Sequence, residues 1–135
     1  LVLIYFISID KKSIISYFQV KKVLVEKINE LKSLNYLCYV LSNWSAETFV
    51  GMKDDYSFLN TFDDLLISGE HNMKKPDIEI FQLAISRFKL IPEKTVFIDD
   101  NLANILAAKT LNFKTIFKFF KTILFTLTNL TFYEY

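Results

Sequence analysis

The chain has 135 residues, too few for more than one domain and enough for one hydrophobic core. Sixteen Lys and Arg against 15 Asp and Glu leave a net charge of +1, without the basic excess of a dedicated nucleic-acid surface. The single cysteine, Cys38, can form neither an internal disulfide nor a cysteine metal site, so a reducing cytosol is the expected compartment; within its apolar run it reads as a core filler rather than a nucleophile.

The chain opens on Leu1-Val2-Leu3-Ile4-Tyr5-Phe6-Ile7. This run is too short to span a bilayer and lacks the basic leader of a signal peptide, so no membrane role is expected. An opening in mid-strand on Leu, with no Met, looks like part of a longer protein. Apolar residues then recur at 20, 24, 28, 31 and 34 with Lys and Glu between them, the period of an amphipathic helix. Glycine is scarce, and Asn35 and Asn112 stand where helices should hand over to strands; Asn tolerates the left-handed conformation of a helix end second only to Gly. Tyr36 to Leu41 is a continuous apolar run of strand length, as in a parallel strand covered on both faces.

Ser42-Asn43-Trp44-Ser45 ends that strand, with a short helix from Ser45. Phe62 to Ile67 reads as a second short strand, followed by a polar loop from Ser68 to Lys75. Pro76 suits the first position of a helix, whose apolar face is Ile80, Phe81, Ala84, Ile85 and Phe88. Thr95 to Ile98 is a third strand, Leu102, Ile105, Leu106 and Leu111 line a further helix, and Thr115 to Phe117 begins a fourth strand. Strands alternating with helices over short connections predict an α/β fold with a doubly wound parallel sheet. The tail from Phe119 to Tyr135 is rich in Phe, Thr, Leu and Tyr, and has too few polar positions for an amphipathic helix; it reads as extra strand or a packed extension.

Val96-Phe97-Ile98-Asp99-Asp100-Asn101 carries the most chemistry. A buried strand running into two acids puts both at the carboxyl edge of the sheet, where open α/β folds bind ligands. Adjacent carboxylates repel and are stabilised by a cation, and oxygen donors without a Cys or His cluster favour Mg²⁺. Taken alone, the same stretch is equally a helix cap, with Asp100 or Asn101 accepting from the first amides. Ser42 and Lys75 are 33 residues apart, and Lys75 and Asp99 are 24 apart. Each interval holds one helix-plus-strand unit, so Ser42-Asn43, Lys75 and Asp99-Asp100 can converge on one sheet edge. A hydroxyl with backbone amides, a lysine and two carboxylates suit a phosphate with its metal. Each has a plainer reading: Ser42 and Asn43 as a turn, Lys75 as a solvated loop lysine, Asp77 as a first-turn acid, and Trp44 as packing. His71, the only histidine, reads as an exposed loop residue.

Three ordered segments resemble motifs II, III and IV of the haloacid dehalogenase-like (HAD) hydrolases: Leu41-Ser42-Asn43-Trp44-Ser45-Ala46-Glu47-Thr48-Phe49, Lys74-Lys75-Pro76-Asp77-Ile78-Glu79-Ile80-Phe81, and Val96-Phe97-Ile98-Asp99-Asp100-Asn101. The resemblance covers about residues 20 to 117. It implies a Rossmann-like core in which Ser42 and the Asn43 amide bind the transferring phosphoryl group. Lys75 would balance charge, Asp99 and Asp100 would serve Mg²⁺, and Asn104 would support their loop. It also implies an aspartate nucleophile that forms an aspartyl-phosphate hydrolysed by water.

The family's first motif, Asp-x-Asp-x-Thr after an apolar strand, is not matched in full, and Asp10 as a degenerate nucleophile is the less favoured reading. The chain has Ile7-Ser8-Ile9-Asp10-Lys11-Lys12-Ser13 instead, with one acid. Residues 1–18 are therefore expected to be the end of a cap or its linker, residues 19–118 a HAD-like core lacking its first strand and most of the cap, and residues 119–135 an apolar extension. The expected function is a Mg²⁺-dependent phosphatase acting on a small phosphate monoester, with the isolated chain inactive. The alternatives are a dehalogenase-type hydrolase, disfavoured by the Asp99-Asp100 pair, and a non-catalytic remnant or phosphate-binding module.

Overall fold

Five parallel strands form the sheet of the computed structural model, which describes residues 2–5, 14–52 and 57–117. The strands are β1 (Val2–Tyr5), β2 (Leu37–Ser42), β3 (Asp64–Ile67), β4 (Thr95–Asp99) and β5 (Lys114–Phe117), in the order β3-β2-β1-β4-β5. The helices are α1 (Ile14–Ser33), α2 (Ala46–Met52), α3 (Ile78–Phe88) and α4 (Leu102–Thr110). This strand order is that of a Rossmann-like doubly wound sheet, and its ligand crevice is expected beyond the carboxyl ends of the central strands.

Side chains alternate across the sheet, as a period of two requires. Cys38, Val40, Ile67 and Ile98 face a cluster with Leu24, Ile28 and Leu31 of α1 and with Phe58, Leu59 and Phe62. Tyr39, Leu41, Leu66 and Phe97 face the opposite cluster, with Ile80, Phe81, Ala84 and Phe88 of α3 and Ile105 and Ala108 of α4. Tyr39 stacks on Phe88 with centroids 4.3 Å apart, and Phe81 meets Phe97 edge-on at 5.3 Å. Both faces are covered, which is why β2 and β4 read as unbroken apolar runs rather than alternating ones.

One expectation is overturned. The core does not lack its first strand: Val2–Tyr5 pairs with β2 on one side and β4 on the other, with Tyr5 level with Val40 and Ile98. Residues 2–5 are thus the centre of the sheet rather than a cap end or linker. Four apolar residues suit a central strand and a packed linker alike, and pairing on both edges is what separates the two. Two boundaries also move. Helix α1 begins at Ile14, earlier than the periodic residues indicated. Pro76 precedes α3 instead of opening it, because Asp77 is the cap residue and the helix starts at Ile78. The tail 119–135 lies outside the described residues. Among the described residues no helix is long and apolar enough to cross a membrane.

Candidate active site

The sheet order puts β2 and β4 on either side of β1, so the loops leaving their carboxyl ends face each other across the central strand. Beside these loops lies a cavity of about 400 Å³ lined by Asn43, Lys75, Asp100, Asn101, Leu102 and Asn104. Three of the five residues singled out from sequence are therefore cavity walls: Asn43, Lys75 and Asp100. Ser42 and Asp99 are buried, 3% and 1% exposed, and are not among the lining residues.

Ser42 ends β2, and its Oγ accepts a hydrogen bond from Trp44 N–H at 3.2 Å. That bond turns the loop, and Ser45 then starts α2 by accepting from Thr48 N–H at 3.2 Å. The loop is packed from outside by Gly69, whose N–H donates to Trp44 C=O at 3.0 Å. The Asn43 side chain reaches across to the backbone of Lys75: Oδ1 accepts Lys75 N–H at 2.8 Å, and Nδ2 donates to Lys75 C=O at 3.0 Å.

Lys75 is 4% exposed, and its ammonium pairs with Asp99 Oδ2 at 3.1 Å. Burial pulls the lysine down to about 8, against the opposing pull of Asp99. Asp99 ends β4 with both oxygens occupied. Oδ1 accepts Asn101 N–H at 2.7 Å, and Oδ2 also accepts Asn104 Nδ2 at 3.0 Å. Asn101 caps α4 by accepting Ala103 N–H at 2.9 Å, so the capping reading of the stretch holds together with its place at the cavity. Burial first, and then the Asp99 charge, push the Asp100 carboxyl above the usual carboxylate value.

Among the described residues, no three His, Cys, Asp or Glu side chains cluster as a ligand set. Oxygen donors are nonetheless present. Asp100 carries a carboxylate whose charge is disfavoured where it stands, and Asn104 Oδ1 is buried without a hydrogen-bond partner. A buried orphan acceptor beside a strained carboxylate fits a hard cation completed by water and anion oxygens. Asn104 is absent from the principal set read from sequence, although its position five residues after Asp99, in the first turns of α4, is a usable signal. Cys38 is fully buried and its thiol is pushed up to about 11, first by burial and then by Asp63, as a core residue rather than a nucleophile. Trp44 packs against the α1-side core. His71 is half-buried, and its Nε2 is enclosed without a partner, a correction to its expected exposure.

The sesquiterpene phosphatase astK of Aspergillus oryzae is 28% identical over 82 residues, 61% of this chain and 42% of that protein. This chain thus spans under half the length of that curated relative. A HAD family enzyme of Bacteroides thetaiotaomicron, complexed with magnesium and inorganic phosphate, superposes with a TM-score of 0.66 at 25% identity, over 73% of this chain and 52% of that one. An uncharacterised protein of Corynebacterium glutamicum matches 99% of this chain and 96% of its own with a TM-score of 0.72; at 18% identity it speaks for the fold alone. The sequence profile of the haloacid dehalogenase-like hydrolases matches residues 5–118, and the chain belongs to that family.

Proposed function

We propose that this core serves a Mg²⁺-dependent phosphatase acting on a small phosphate monoester through an aspartyl-phosphate. The observation that carries this reading is the cavity in which Lys75, Asp100 and the orphan Asn104 Oδ1 meet beside Asn43. Lys75 supplies a cation, and Asp100 and Asn104 supply oxygen donors, within one enclosure, the pairing a phosphate with its metal needs. The Aspergillus phosphatase and the Bacteroides complex with magnesium and phosphate support the same chemistry.

Each residue then has a task. Ser42 Oγ accepts from Trp44 N–H and so orders the loop that carries the Asn43 amide; the family resemblance assigns its hydroxyl to a phosphoryl oxygen, although the residue is buried and does not line the cavity. The Asn43 backbone amide is a second donor. Lys75 offsets negative charge gathering on the phosphoryl group, and Asp99 holds that ammonium in place. Asp100 and Asn104, with Asp99 behind them, are the residues to hold Mg²⁺. When bound, that ion supplies charge neutralisation on the phosphate oxygens.

The nucleophile is where this chain departs. In this structure β1 holds the central place between β2 and β4. The first carboxylate after Tyr5 is Asp10, five positions on and outside the described residues. We therefore expect the isolated chain to bind phosphate with Mg²⁺ and to turn over little or nothing. Calorimetric titration with inorganic phosphate, with and without Mg²⁺, tests the reading. Binding that needs Mg²⁺ and weakens in Asp100→Asn supports it; no binding in either condition refutes it. A metal-independent hydrolysis of a carbon–halogen bond would instead favour the dehalogenase-type reading.

A further inference from the structure

Lys75 lies in the turn before α3, outside every helix and strand, so no regular ladder fixes its backbone. Its side chain must nevertheless enter the interior and deliver an ammonium to Asp99 Oδ2 at 3.1 Å. Asn43, on the opposite loop, holds both peptide groups of this one residue, accepting from its N–H at 2.8 Å and donating to its C=O at 3.0 Å. A primary carboxamide presents an acceptor and a donor side by side, and both are engaged by a single backbone position. Two bonds of opposite polarity define an orientation as well as a distance, because neither can be kept while the Lys75 peptide rotates.

We propose that Asn43 is the positioning residue for Lys75: its side chain fastens the loop after β2 to the lysine's backbone and so sets where the ammonium stands relative to Asp99 and the cavity. The Asn43 carboxamide is then occupied with Lys75 and is not itself the anion contact; only its backbone amide remains for that. The consequence for ligand affinity deepens the phosphate reading and rests on it, whereas the positioning itself does not. The coupling runs both ways. A phosphate drawn to the loop after β2 and a cation delivered from the turn before α3 share one mechanical link, so disturbing Asn43 should be felt at both.

The experiment uses the full isotopically labelled chain and three variants, with backbone amide exchange read by NMR alongside titration with inorganic phosphate in Mg²⁺. Asn43→Ala removes both bonds; Asn43→Asp keeps an acceptor for Lys75 N–H and loses the donor. Ser45→Ala is the control in the same loop, since it deletes the α2 cap bond to Thr48 N–H without touching Lys75. Exchange of Lys75 N–H should quicken about tenfold in Asn43→Ala relative to Ser45→Ala, with a loss of phosphate affinity of similar size. In Asn43→Asp the Lys75 amide should stay protected, which a general loosening of the loop would not produce. Lys75 exchange no faster in Asn43→Ala than in Ser45→Ala overturns the proposal, whatever phosphate does. Absence of phosphate binding to the wild type, with the exchange pattern as expected, overturns the phosphatase reading and leaves the positioning role standing. Should Asn43→Ala fail to fold, Asn43→Asp decides the matter: a Lys75 amide as unprotected as a loop amide overturns the proposal.

Discussion

Lys75 Nζ stands 3.1 Å from Asp99 Oδ2, and the two side chains are 2% and 1% exposed. A pair this buried gives little net stability when intact, since desolvation offsets most of its attraction, but it is costly to break from one side. Asp99→Asn removes the carboxylate charge and should destabilise the chain by about 3 kcal/mol at pH 7, read from the urea midpoint. The double variant Lys75→Met/Asp99→Asn should lose less than Asp99→Asn alone, because it leaves no buried charge behind. Equal losses in the two would mean that an unpaired Lys75 ammonium costs nothing in this interior.

The pH dependence of stability follows from the same lysine. Burial lowers Lys75 from 10.5 to about 8 in the folded chain. Between those values the unfolded chain binds a proton that the folded chain does not, so unfolding takes up a proton and stability rises with pH. The contribution is flat below about 8, where both states are protonated, and grows from there towards 10.5. Urea midpoints from pH 7 to about 10 should therefore climb for the wild type relative to Lys75→Met. Parallel curves would mean that Lys75 titrates like a solvated lysine.

Much of this site is legible in the residues, for identifiable reasons. Parallel strands covered on both faces announce themselves as apolar runs, and a run that stops at polar residues marks a strand end, so Ser42 and Asp99 fall at the ends of β2 and β4. Val2–Tyr5 carries the same signature, yet nothing within four apolar residues distinguishes a central strand from a linker. Its place comes only from pairing on both edges. Asn43 is legible as a loop residue and not as the partner of Lys75, because a side-chain amide names no partner until the fold brings a backbone to it. Pro76 fits the first turn of a helix by composition, but Asp77 takes the cap and moves the start to Ile78.

Gly69 and Gly51 should respond oppositely to alanine. A Cβ on Gly69 would lie 2.5 Å from Ala46 N and 2.7 Å from both Ser45 Cα and Trp44 O, all backbone atoms of the loop after β2 and the start of α2. Such atoms cannot step aside as a flexible side chain would, so Gly69→Ala should cost about 1–3 kcal/mol and weaken phosphate binding through that loop. A Cβ on Gly51, inside α2, meets nothing within 4 Å, and Gly51→Ala should gain about 0.5–1 kcal/mol from helix propensity. Thermal melts of the two variants settle it, and a neutral Gly69→Ala would mean that the loop after β2 yields readily at Gly69.

Cys38 offers a probe of global opening. Its side chain is fully buried and its thiol is raised to about 11, so at pH 8 neither thiolate nor access is available. Iodoacetamide should leave the native chain unmodified and label one thiol in urea, with the midpoint of labelling matching that of circular dichroism. Rapid labelling under native conditions would show that the β2–α1 interface opens locally.

Three helices of this glycine-poor chain are followed by a left-handed residue, and one of the three is ill suited to that backbone. After α1, Tyr36 N–H returns to Leu31 C=O at 3.0 Å and Asn35 N–H to Lys32 C=O at 3.0 Å; after α4, Phe113 and Asn112 make the equivalent bonds to Ala108 and Lys109. Asn35 and Asn112 carry the required left-handed backbone at φ 64° and 65°. After α3 the same position falls to Lys89, at φ 54°, with Leu90 N–H bonded to Ile85 C=O at 2.9 Å. Asn accepts this conformation with a small penalty because its short polar side chain bonds locally; a lysine has no such compensation, and Gly has no Cβ to clash. Lys89→Gly should therefore stabilise the chain by about 0.5–1 kcal/mol, part of the gain being lost to the greater freedom of Gly in the unfolded state. Asn35→Gly and Asn112→Gly should change stability by less, and Asn35→Ala should lower it. A Lys89→Gly variant that melts below the wild type would place a compensating interaction on the Lys89 side chain strong enough to outweigh its backbone strain.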